Sequence, residues 1–318
     1  MAKIVEISSY LPEGKLTNEE LSKRFEKWTS EKIYEKTGIK ERRIAKKNQT
    51  AADLAILAAE KLFQTSKIKR SEIDFLIFVS QTQNQCLPSS SCEIHESLNL
   101  RKSCGAFDIN QGCSGYIYGL NICASIIDSG HAKNILLLTG DTYSKIIEGN
   151  DASVLTLFGD GASATLISSN FNEGFQINKF LFGTDGSGAK YLKCDFGGFK
   201  KSKEEWELLK MDGARVMQFT LSKIPEIINN YFELTKSDLS VYDKVVLHQA
   251  NKFILKQLYK KINAEEKGVI SLKTVGNTVS SSIPIALEKL LEDQDKISNI
   301  LLVGFGVGLS WGITSINR

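Results

Sequence analysis

Short apolar runs alternate with helix-like stretches along this chain. Two of the runs, residues 74–80 and 133–140, are bounded by turn residues and are rich in Val, Ile and Leu. The stretch from about 89 to 98 between them has the character of a helix. Buried strands that are separated by helices are typical of a sheet with both faces covered. The pattern therefore predicts an α/β fold.

The second half of the chain repeats this order. The run at 243–248 resembles the run at 74–80, and the run at 298–304 resembles the run at 133–140, with nearly the same separation. We infer an internal duplication, with one half over residues 1–170 and the other over 171–318. If the halves pack as pseudo-twofold mates, equivalent loops from both halves meet at one place.

The composition is that of a globular protein. Of 318 residues, 42% are apolar and 24% are charged, which excludes the disordered and fibrous classes. The formal net charge is only +3, so we expect no nucleic-acid partner. The amino terminus alternates like a strand, and no apolar run approaches the roughly 18 residues that cross a bilayer. We therefore expect a cytoplasmic protein without a membrane partner.

Six cysteines and three histidines are spread over the chain without a CxxC pair. This spacing is typical neither of a disulfide framework nor of a zinc site. We expect no metal and no cofactor, and we expect at most one or two of the thiols to take part in a reaction.

Cys113 lies in the most informative segment, residues 108–127. A strand-like stretch ends before it, a glycine precedes it, and apolar residues then recur at helical spacing. A cysteine at a helix amino terminus meets unpaired N–H groups and the positive end of the helix dipole, which favour the thiolate that attacks a thioester. On this segment alone, a buried packing thiol is an equal alternative.

Two polar residues in the second half complete a candidate site. His248 directly follows an apolar run, and Asn277 begins a predicted helix. Taken singly, a structural histidine and a helix-capping asparagine are the simpler interpretations. Together with Cys113, they form a nucleophile and two side chains that can hydrogen-bond a developing enolate or oxyanion.

The glycine-rich carboxyl end, residues 304–312, lets backbone N–H groups approach a substrate oxygen closely. Its spacing differs from the GxGxxG pattern that opens a βαβ unit, so it is not a dinucleotide fingerprint.

These segments together resemble the thiolase-like condensing enzymes, specifically the 3-oxoacyl-(acyl carrier protein) synthase III family. The matching motifs fall in order over nearly the whole chain, at residues 36–44, 108–127, 157–162, 211–213, 248–251, 276–278 and 304–312. As a set, the seven motifs are specific, because chance agreement of all of them is negligible.

The resemblance implies a five-layered αβαβα fold built from two related halves, and a homodimer. It also implies a reaction. Cys113 would take an acyl group from an acyl-carrier-protein or acyl-coenzyme A thioester, and His248 and Asn277 would support decarboxylation of malonyl-acyl carrier protein. The resulting enolate would attack the acyl-cysteine and give a 3-oxoacyl-acyl carrier protein.

Further roles follow from the same resemblance. The backbone N–H groups of Cys113 and of the Gly306 and Val307 region would form the oxyanion hole. A side chain at Leu87 would cross the dimer interface and close the acyl pocket of the other copy. The residues expected to contact substrate are Leu87, Phe158, Met217 and Asn251.

Two positions depart from the better-known family members. Those enzymes hold the adenine of coenzyme A between a tryptophan and an arginine, where this sequence has Lys32 and Ala152. Losing both planes removes stacking of about 1–3 kcal/mol, by analogy with base stacking on aromatic side chains. Trp28, one turn before Lys32, is either a substitute or a core or interface residue. These changes predict a preference for carrier-protein donors.

A basic residue that helps to dock the acidic carrier protein in the family is replaced by Phe253. Lys252, Lys256 and Lys260 nevertheless follow one face of the next predicted helix. The stripe is either a carrier-protein docking site or simply a solvated face.

Three functions remain open at this point. The leading hypothesis is decarboxylative condensation. The second is an acyltransferase that moves the acyl group from Cys113 to a hydroxyl or amine, although such an enzyme has no enolate for Asn277 to stabilise. The third is a non-catalytic subunit, which the presence of all three candidate residues disfavours.

Overall fold

The structure is a computed structural model that describes residues 1–147, 149, 151–292 and 296–318. Its strands are β1 (Lys3–Tyr10), β2 (Gly14–Thr17), β3 (Glu41–Ile44), β4 (Phe75–Val79), β5 (Gly105–Ile109), β6 (Asn134–Asp141), β7 (Gly161–Ser168), β8 (Phe175–Thr184), β9 (Leu192–Lys193), β10 (Lys210–Met211), β11 (Lys244–Leu247), β12 (Asn299–Gly306) and β13 (Ser310–Asn317). Its α-helices are α1 (Asn18–Arg24), α2 (Ser30–Thr37), α3 (Ala51–Thr65), α4 (Ser90–Ser97), α5 (Gly115–Asp128), α6 (Ala152–Leu155), α7 (Gly213–Thr235), α8 (Lys252–Lys261) and α9 (Ser282–Glu292).

The main sheet is mixed and repeats its own strand order. Among the described strands it runs β11-β12-β13-β8-β1-β7-β6-β4-β5. In the amino-terminal half, β4 pairs in parallel with β5 and β6, and β7 pairs antiparallel with β6 and β1. In the carboxyl-terminal half, β11 pairs in parallel with β12, and β13 pairs antiparallel with β12 and β8. A parallel bridge from Val245 to Gly268 takes the place of the β4–β5 pair.

Two aspartates show the duplication at atomic scale. Asp74 Oδ2 accepts the backbone N–H groups of Lys133 and Asn134 at 2.7 and 2.9 Å. Asp243 Oδ2 accepts the N–H of the first residue of β12 and that of the residue before it, both at 2.8 Å. The runs at 74–80 and 243–248 thus each begin with an aspartate that accepts two successive backbone N–H groups at the start of the neighbouring strand. The boundary between 170 and 171 falls in the connection from β7 to β8 and remains a prediction.

The alternation of side chains along the strands sorts the helices into layers. On β4, Ile77 and Val79 face the cluster that contains α5 and α9, whereas Leu76 and Phe78 pack beneath α3 and α4. On β12, alternate residues likewise face α5 and α9 on one side and α7 and α8 on the other. Because α5 and α9 lie between the two halves of the sheet, the fold is the expected αβαβα arrangement.

The two predicted helix starts need correction by a few residues. The helix after Cys113 begins at Gly115, and α9 begins at Ser282, well past Asn277. Between Asn277 and α9 lies a 3-10 turn at Val279–Ser281, and Val279 has a φ of +52°. A β-branched residue in this left-handed region cannot continue an α-helix. The interpretation of Asn277 as the helix cap is therefore wrong.

No helix within the described ranges is both long enough and apolar enough to span a bilayer.

Candidate active site

A cavity of about 450 Å³ connects the surface with the three candidate residues. Trp28 and Lys36 line it near the surface, and Cys113, His248 and Asn277 line its buried part. Cys113 comes from the loop between β5 and α5, Asn277 comes from the equivalent segment before α9, and His248 comes from the loop after β11. The duplication therefore brings one nucleophile and two hydrogen-bonding side chains to the same buried end.

Cys113 stands immediately before the first turn of α5 and is 4% exposed. Burial raises the pKa of its thiol to about 12, and the charge of Asp141 adds to the rise. Backbone N–H groups of Val307 and of Cys113 itself oppose the rise. The expected stabilisation of the thiolate by the helix terminus is thus smaller than the cost of burial. Burial therefore favours the neutral thiol of Cys113.

Gly306 presses directly on the nucleophile. A Cβ atom at this position would lie 2.9 Å from Cys113 Sγ and 2.7 Å from Cys113 Cβ. The backbone there has a φ of +155°, which strains any other residue. Glycine lets the chain pass close enough for the next N–H, that of Val307, to approach the sulfur. The same N–H is in place for an oxyanion that forms on an attached acyl group.

His248 follows the last residue of β11, and its side chain is buried. Its Nδ1 lies 2.7 Å from Ser282 Oγ, and its ring meets Phe305 edge to face at 5.6 Å. Burial lowers the pKa of the imidazole to about 3, so the ring is neutral in the working range of most enzymes.

The amide of Asn277 has a fixed orientation. Its Oδ1 accepts the backbone N–H of Val279 at 3.0 Å, so Nδ2 is the atom that faces His248. Nδ2 lies 3.4 Å from His248 Nε2. The left-handed backbone at Val279 turns its N–H back toward Asn277, which explains why a strained residue occupies this position.

Backbone and side-chain bonds between the halves hold the Asn277 loop. Asn277 N donates to Leu157 O and Gly159 N donates to Asn277 O, both at 2.9 Å. Asp141 accepts both the backbone N–H and the hydroxyl of Ser280. Burial raises the pKa of Asp141 to about 7. The two halves are therefore joined at the site itself.

Sequence reasoning missed this supporting shell. It consists of Gln81, Asp141, Tyr143, Ser280 and Ser282. Tyr143 is buried against Phe158 and donates its hydroxyl to Gln81 Oε1 at 2.8 Å. The only sequence signals were a charged residue that ends an apolar strand, at Asp141, and a run of three serines that leads into α9.

The predicted substrate residues divide into two groups. Phe158, Met217 and Asn251 line the cavity. Asn251 also caps α8, because its Oδ1 accepts the N–H of Ile254 at 2.8 Å. Leu87 lies outside the cavity of its own chain and is 79% exposed. The role of Leu87 in the acyl pocket of a second copy stays a prediction.

The side chains at the mouth of the cavity differ from the tryptophan and arginine pair that holds adenine in the better-known family members. Neither Lys32 nor Ala152 lines it, whereas Trp28 does. The ammonium of Lys36 lies 4.7 Å from the centre of the Trp28 ring, and that of Lys32 lies 5.8 Å away. The ring is therefore already in contact with cations.

The first turn of α8, the helix that carries the three lysines, lines this cavity. α2 packs against α8 so closely that a Cβ at Gly38 would lie 2.2 Å from Lys252 Cβ. Lys252 is half-buried, and Lys256 and Lys260 are exposed. Within the described residues, none of these three lysines forms an ion pair with a carboxylate. Phe253 is 48% exposed between them.

No three His, Cys, Asp or Glu side chains within the described ranges group together as metal ligands.

Comparison with known proteins gives consistent matches over the whole chain. Residues 107–186 match the family model for 3-oxoacyl-(acyl-carrier-protein) synthase III, and residues 233–318 match the model for its carboxyl-terminal part. The chain is 35% identical to the beta-ketoacyl-(acyl-carrier-protein) synthase III of Clostridium novyi, over 98% of this chain and 97% of that protein.

Solved structures agree with the sequence matches. A 3-oxoacyl-(acyl-carrier-protein) synthase III crystal structure superimposes with a TM-score of 0.92 at 40% identity, covering 100% of this chain and 99% of that one. The corresponding enzyme of Aquifex aeolicus superimposes with a TM-score of 0.90 at 31% identity and covers 100% of both chains.

Proposed function

The chain belongs to the 3-oxoacyl-(acyl carrier protein) synthase III family, and we propose that Cys113, His248 and Asn277 carry out its condensing reaction. Enzymes of this family are acyltransferases of fatty acid biosynthesis. They join an acyl primer to a malonyl thioester. The observation that carries the assignment is the meeting of these three side chains at the buried end of one cavity.

In the first half-reaction, the Cys113 sulfur attacks the carbonyl carbon of the primer thioester. The N–H groups of Cys113 and Val307 stabilise the oxyanion, and collapse of the tetrahedral intermediate expels the carrier thiolate. The proton that leaves Cys113 ends on the departing thiol. Because burial favours the neutral thiol, attack requires deprotonation once the substrate occupies the cavity.

In the second half-reaction, a malonyl thioester takes the carrier's place. The bond to its carboxylate breaks, CO₂ leaves, and the electron pair moves onto the thioester oxygen. N–H donors from His248 and Asn277 stabilise this enolate. Its carbon attacks the acyl-Cys113 carbonyl, the carbon–sulfur bond to Cys113 breaks, and the Cys113 thiolate takes up a proton from solvent as the 3-oxoacyl product leaves. An acyltransferase to a hydroxyl or amine has no such oxygen for Asn277 to bind.

The donor is an acyl group on acyl carrier protein rather than on coenzyme A. The cavity mouth offers one aromatic ring, Trp28, and Lys36 already stacks on it. Lys36 has no carboxylate partner among the described residues and suits the phosphate of a phosphopantetheine arm. Lys252, Lys256 and Lys260 suit the acidic surface of the carrier protein.

The protein acts as a homodimer. β5 is the outermost strand at one end of the described sheet and pairs only with β4 there. Leu87 projects from a nearby loop, and two buried polar atoms of this region, Asn84 Oδ1 and Ser91 Oγ, have no hydrogen-bond partner within the described residues. An open strand edge, an exposed aliphatic side chain and unpaired polar atoms all favour a covering copy.

Intact-mass analysis tests the function. The purified protein is incubated with acyl-coenzyme A and acyl-carrier-protein thioesters and then with malonyl-acyl carrier protein. We expect carrier-protein donors to label the wild type and Cys123→Ala but not Cys113→Ser, and the malonyl chase to release a 3-oxoacyl product. Efficient labelling by coenzyme A thioesters would refute the donor preference. A label that malonyl-acyl carrier protein cannot discharge would refute the roles of His248 and Asn277.

A further inference from the structure

The side of His248 that faces away from the cavity contacts one hydroxyl group. His248 Nδ1 lies 2.7 Å from Ser282 Oγ. Ser282 is the first residue of α9 and is 3% exposed. Its Oγ has one other hydrogen-bond partner among the described residues, the backbone N–H of Gln249 at 3.3 Å.

The proton positions follow from these two contacts. A backbone N–H can only donate, so Ser282 Oγ accepts from Gln249. The hydroxyl proton of Ser282 then has a single acceptor within the described ranges, which is His248 Nδ1. Because a neutral imidazole carries one proton, Nδ1 without a hydrogen means that Nε2 holds it. The neutral state follows from the complete burial of the ring.

The amide of Asn277 faces the imidazole from the cavity side. Its Oδ1 is already occupied by Val279 N–H, so its Nδ2 can only donate. The contact of 3.4 Å between Nδ2 and Nε2 is longer than an ordinary hydrogen bond, whereas His248 Nδ1 lies only 2.7 Å from Ser282 Oγ, so the Ser282 contact decides the tautomer. With hydrogen on Nε2, Nδ2 and Nε2 are both donors. Two neighbouring donors that do not bond to each other are arranged to share an acceptor, and the oxygen of a bound thioester is such an acceptor.

We propose that Ser282 is a positioning residue that holds His248 in the tautomer with hydrogen on Nε2, so that His248 donates to the malonyl thioester oxygen and does not act as the base for Cys113. This inference rests on the proposed condensing function. The role of Ser282 is confined to one half-reaction, since acyl transfer to Cys113 does not use the Ser282–His248 contact. Stabilisation of the enolate requires it.

The neighbouring serines provide matched controls. Ser281 is equally buried, but its hydroxyl lies 2.8 Å from Thr139 Oγ1 and donates to Gly161 O at 3.3 Å, away from His248. Ser281→Ala thus removes a buried hydroxyl from the same turn and leaves the imidazole contact intact. Ser282→Thr keeps a hydroxyl at the critical position.

The test measures both half-reactions in Ser282→Ala, Ser282→Thr, Ser281→Ala and the wild type. Acyl-Cys113 formation is followed by intact mass, and CO₂ release is followed from malonyl-acyl carrier protein. Loss of a group that orients a metal-binding histidine typically costs 10- to 100-fold, and we take the same range for the partner of a hydrogen-bonding histidine. We expect Ser282→Ala to release CO₂ about 10- to 100-fold more slowly while acyl transfer changes less than about threefold. Ser282→Thr should regain most of the loss, and Ser281→Ala should keep the wild-type ratio of the two rates.

Nitrogen-15 NMR of the wild type tests the tautomer directly, and it does not depend on whether the variants fold. The chain has only three histidines, so the signals of His248 can be assigned by comparison with a His248→Asn sample. We expect a protonated Nε2 and an unprotonated Nδ1. A protonated Nδ1, or equal losses of both half-reactions in Ser282→Ala, would overturn the inference. A wild-type protein that releases no CO₂ would instead refute the proposed function.

Discussion

At the scale of single residues, the site combines groups that burial has made neutral. Burial raises the pKa of the Cys113 thiol and lowers the pKa of the His248 imidazole, so it favours the neutral pair over a thiolate and an imidazolium. Catalysis then depends on backbone and side-chain N–H groups aimed at positions where charge develops. Cys113, His248 and Asn277 could be found from the sequence, because each stands at the end of an apolar run or at a glycine turn. Ser282 and Asp141 could not, since their roles depend on contacts between distant segments.

Gly306→Ala tests how closely the carboxyl-terminal loop approaches the nucleophile. The added methyl would lie 2.9 Å from Cys113 Sγ, on a backbone that alanine adopts only with strain of about 1–3 kcal/mol. We expect acyl-Cys113 formation, measured by intact mass, to slow by about tenfold or more, since 1.4 kcal/mol is a factor of ten. Gly186→Ala is the control, because a Cβ there has no neighbour within 4 Å. Equal rates for both variants would contradict the described geometry.

The buried imidazole predicts a pH dependence of stability. The pKa of His248 in the folded protein, about 3, lies below its value in the unfolded chain, about 6.5. Between these values only the unfolded chain binds the proton, so lowering the pH below about 6.5 reduces the free energy of unfolding, by roughly 1.4 kcal/mol per pH unit at most. The raised pKa of Asp141 acts with the opposite sign between about 4 and 7.

A comparison of the wild type with a variant that lacks the imidazole separates the contribution of His248 from that of Asp141. The free energy of unfolding is measured by denaturant titration at pH 7, 6 and 5 for the wild type and for His248→Asn. We expect the difference between wild type and variant to shrink toward pH 5, because only the wild type loses stability through His248. A difference that is constant with pH would show that the imidazole is not buried as described.

At the scale of elements, the site depends on how strands and helices end. β11 delivers His248, the β5–α5 loop delivers Cys113, and a left-handed residue before α9 turns the Asn277 amide into place. The apolar runs predicted these strands well, because buried strands must be apolar on both faces. The start of α9 was misplaced because no propensity places a valine at positive φ. That conformation is imposed by the bonds between Asn277 and the segment around Leu157.

The lysine face of α8 predicts a substrate-dependent effect of charge reversal. Lys256→Glu combined with Lys260→Glu reverses two exposed charges on α8, the helix whose first turn lines the cavity. We expect the KM for acyl- and malonyl-acyl carrier protein to rise about tenfold, and more at low salt, because attraction to an acidic partner is screened by ions. The kcat for a small acyl thioester without a carrier should be retained.

Lys289→Glu on α9 is the matched control for charge, since Lys289 is also exposed. It should leave both KM values unchanged. If the double variant loses activity equally with the carrier and with the small thioester, the α8 lysines act on the fold and not on docking.

At the scale of the whole molecule, duplication explains why the site lies where it does. Two halves with the same strand order meet at β1 and β8, and the loops after equivalent strands face each other. The sequence revealed this through the paired runs that begin at Asp74 and Asp243, since the same aspartate contacts are needed in each half. It could not reveal the contacts across the seam, such as that from Asp141 to Ser280, because these join residues that are not equivalent in the two halves.

Mixed dimers test the proposed role of Leu87. Leu87→Asp would place a carboxylate in the acyl pocket of the other copy, so we expect the pure variant to lose most of its acyl transfer. Mixing it with inactive Cys113→Ser should restore part of the activity, because a mixed dimer contains one intact pocket. Light scattering should give twice the chain mass of 35.3 kDa. A fully active monomer would contradict the dimeric site.

In the proposed mechanism, Cys113 alone carries the acyl group, and His248 and Asn277 serve only the decarboxylation. The most direct measurement is a single turnover of His248→Ala, in which acyl-Cys113 is followed by intact mass and CO₂ is followed after addition of malonyl-acyl carrier protein. We expect the variant to form acyl-Cys113 at close to the wild-type rate, to release almost no CO₂ and to retain the acyl group. Failure to acylate Cys113, or discharge of the acyl group at the wild-type rate, would contradict the account.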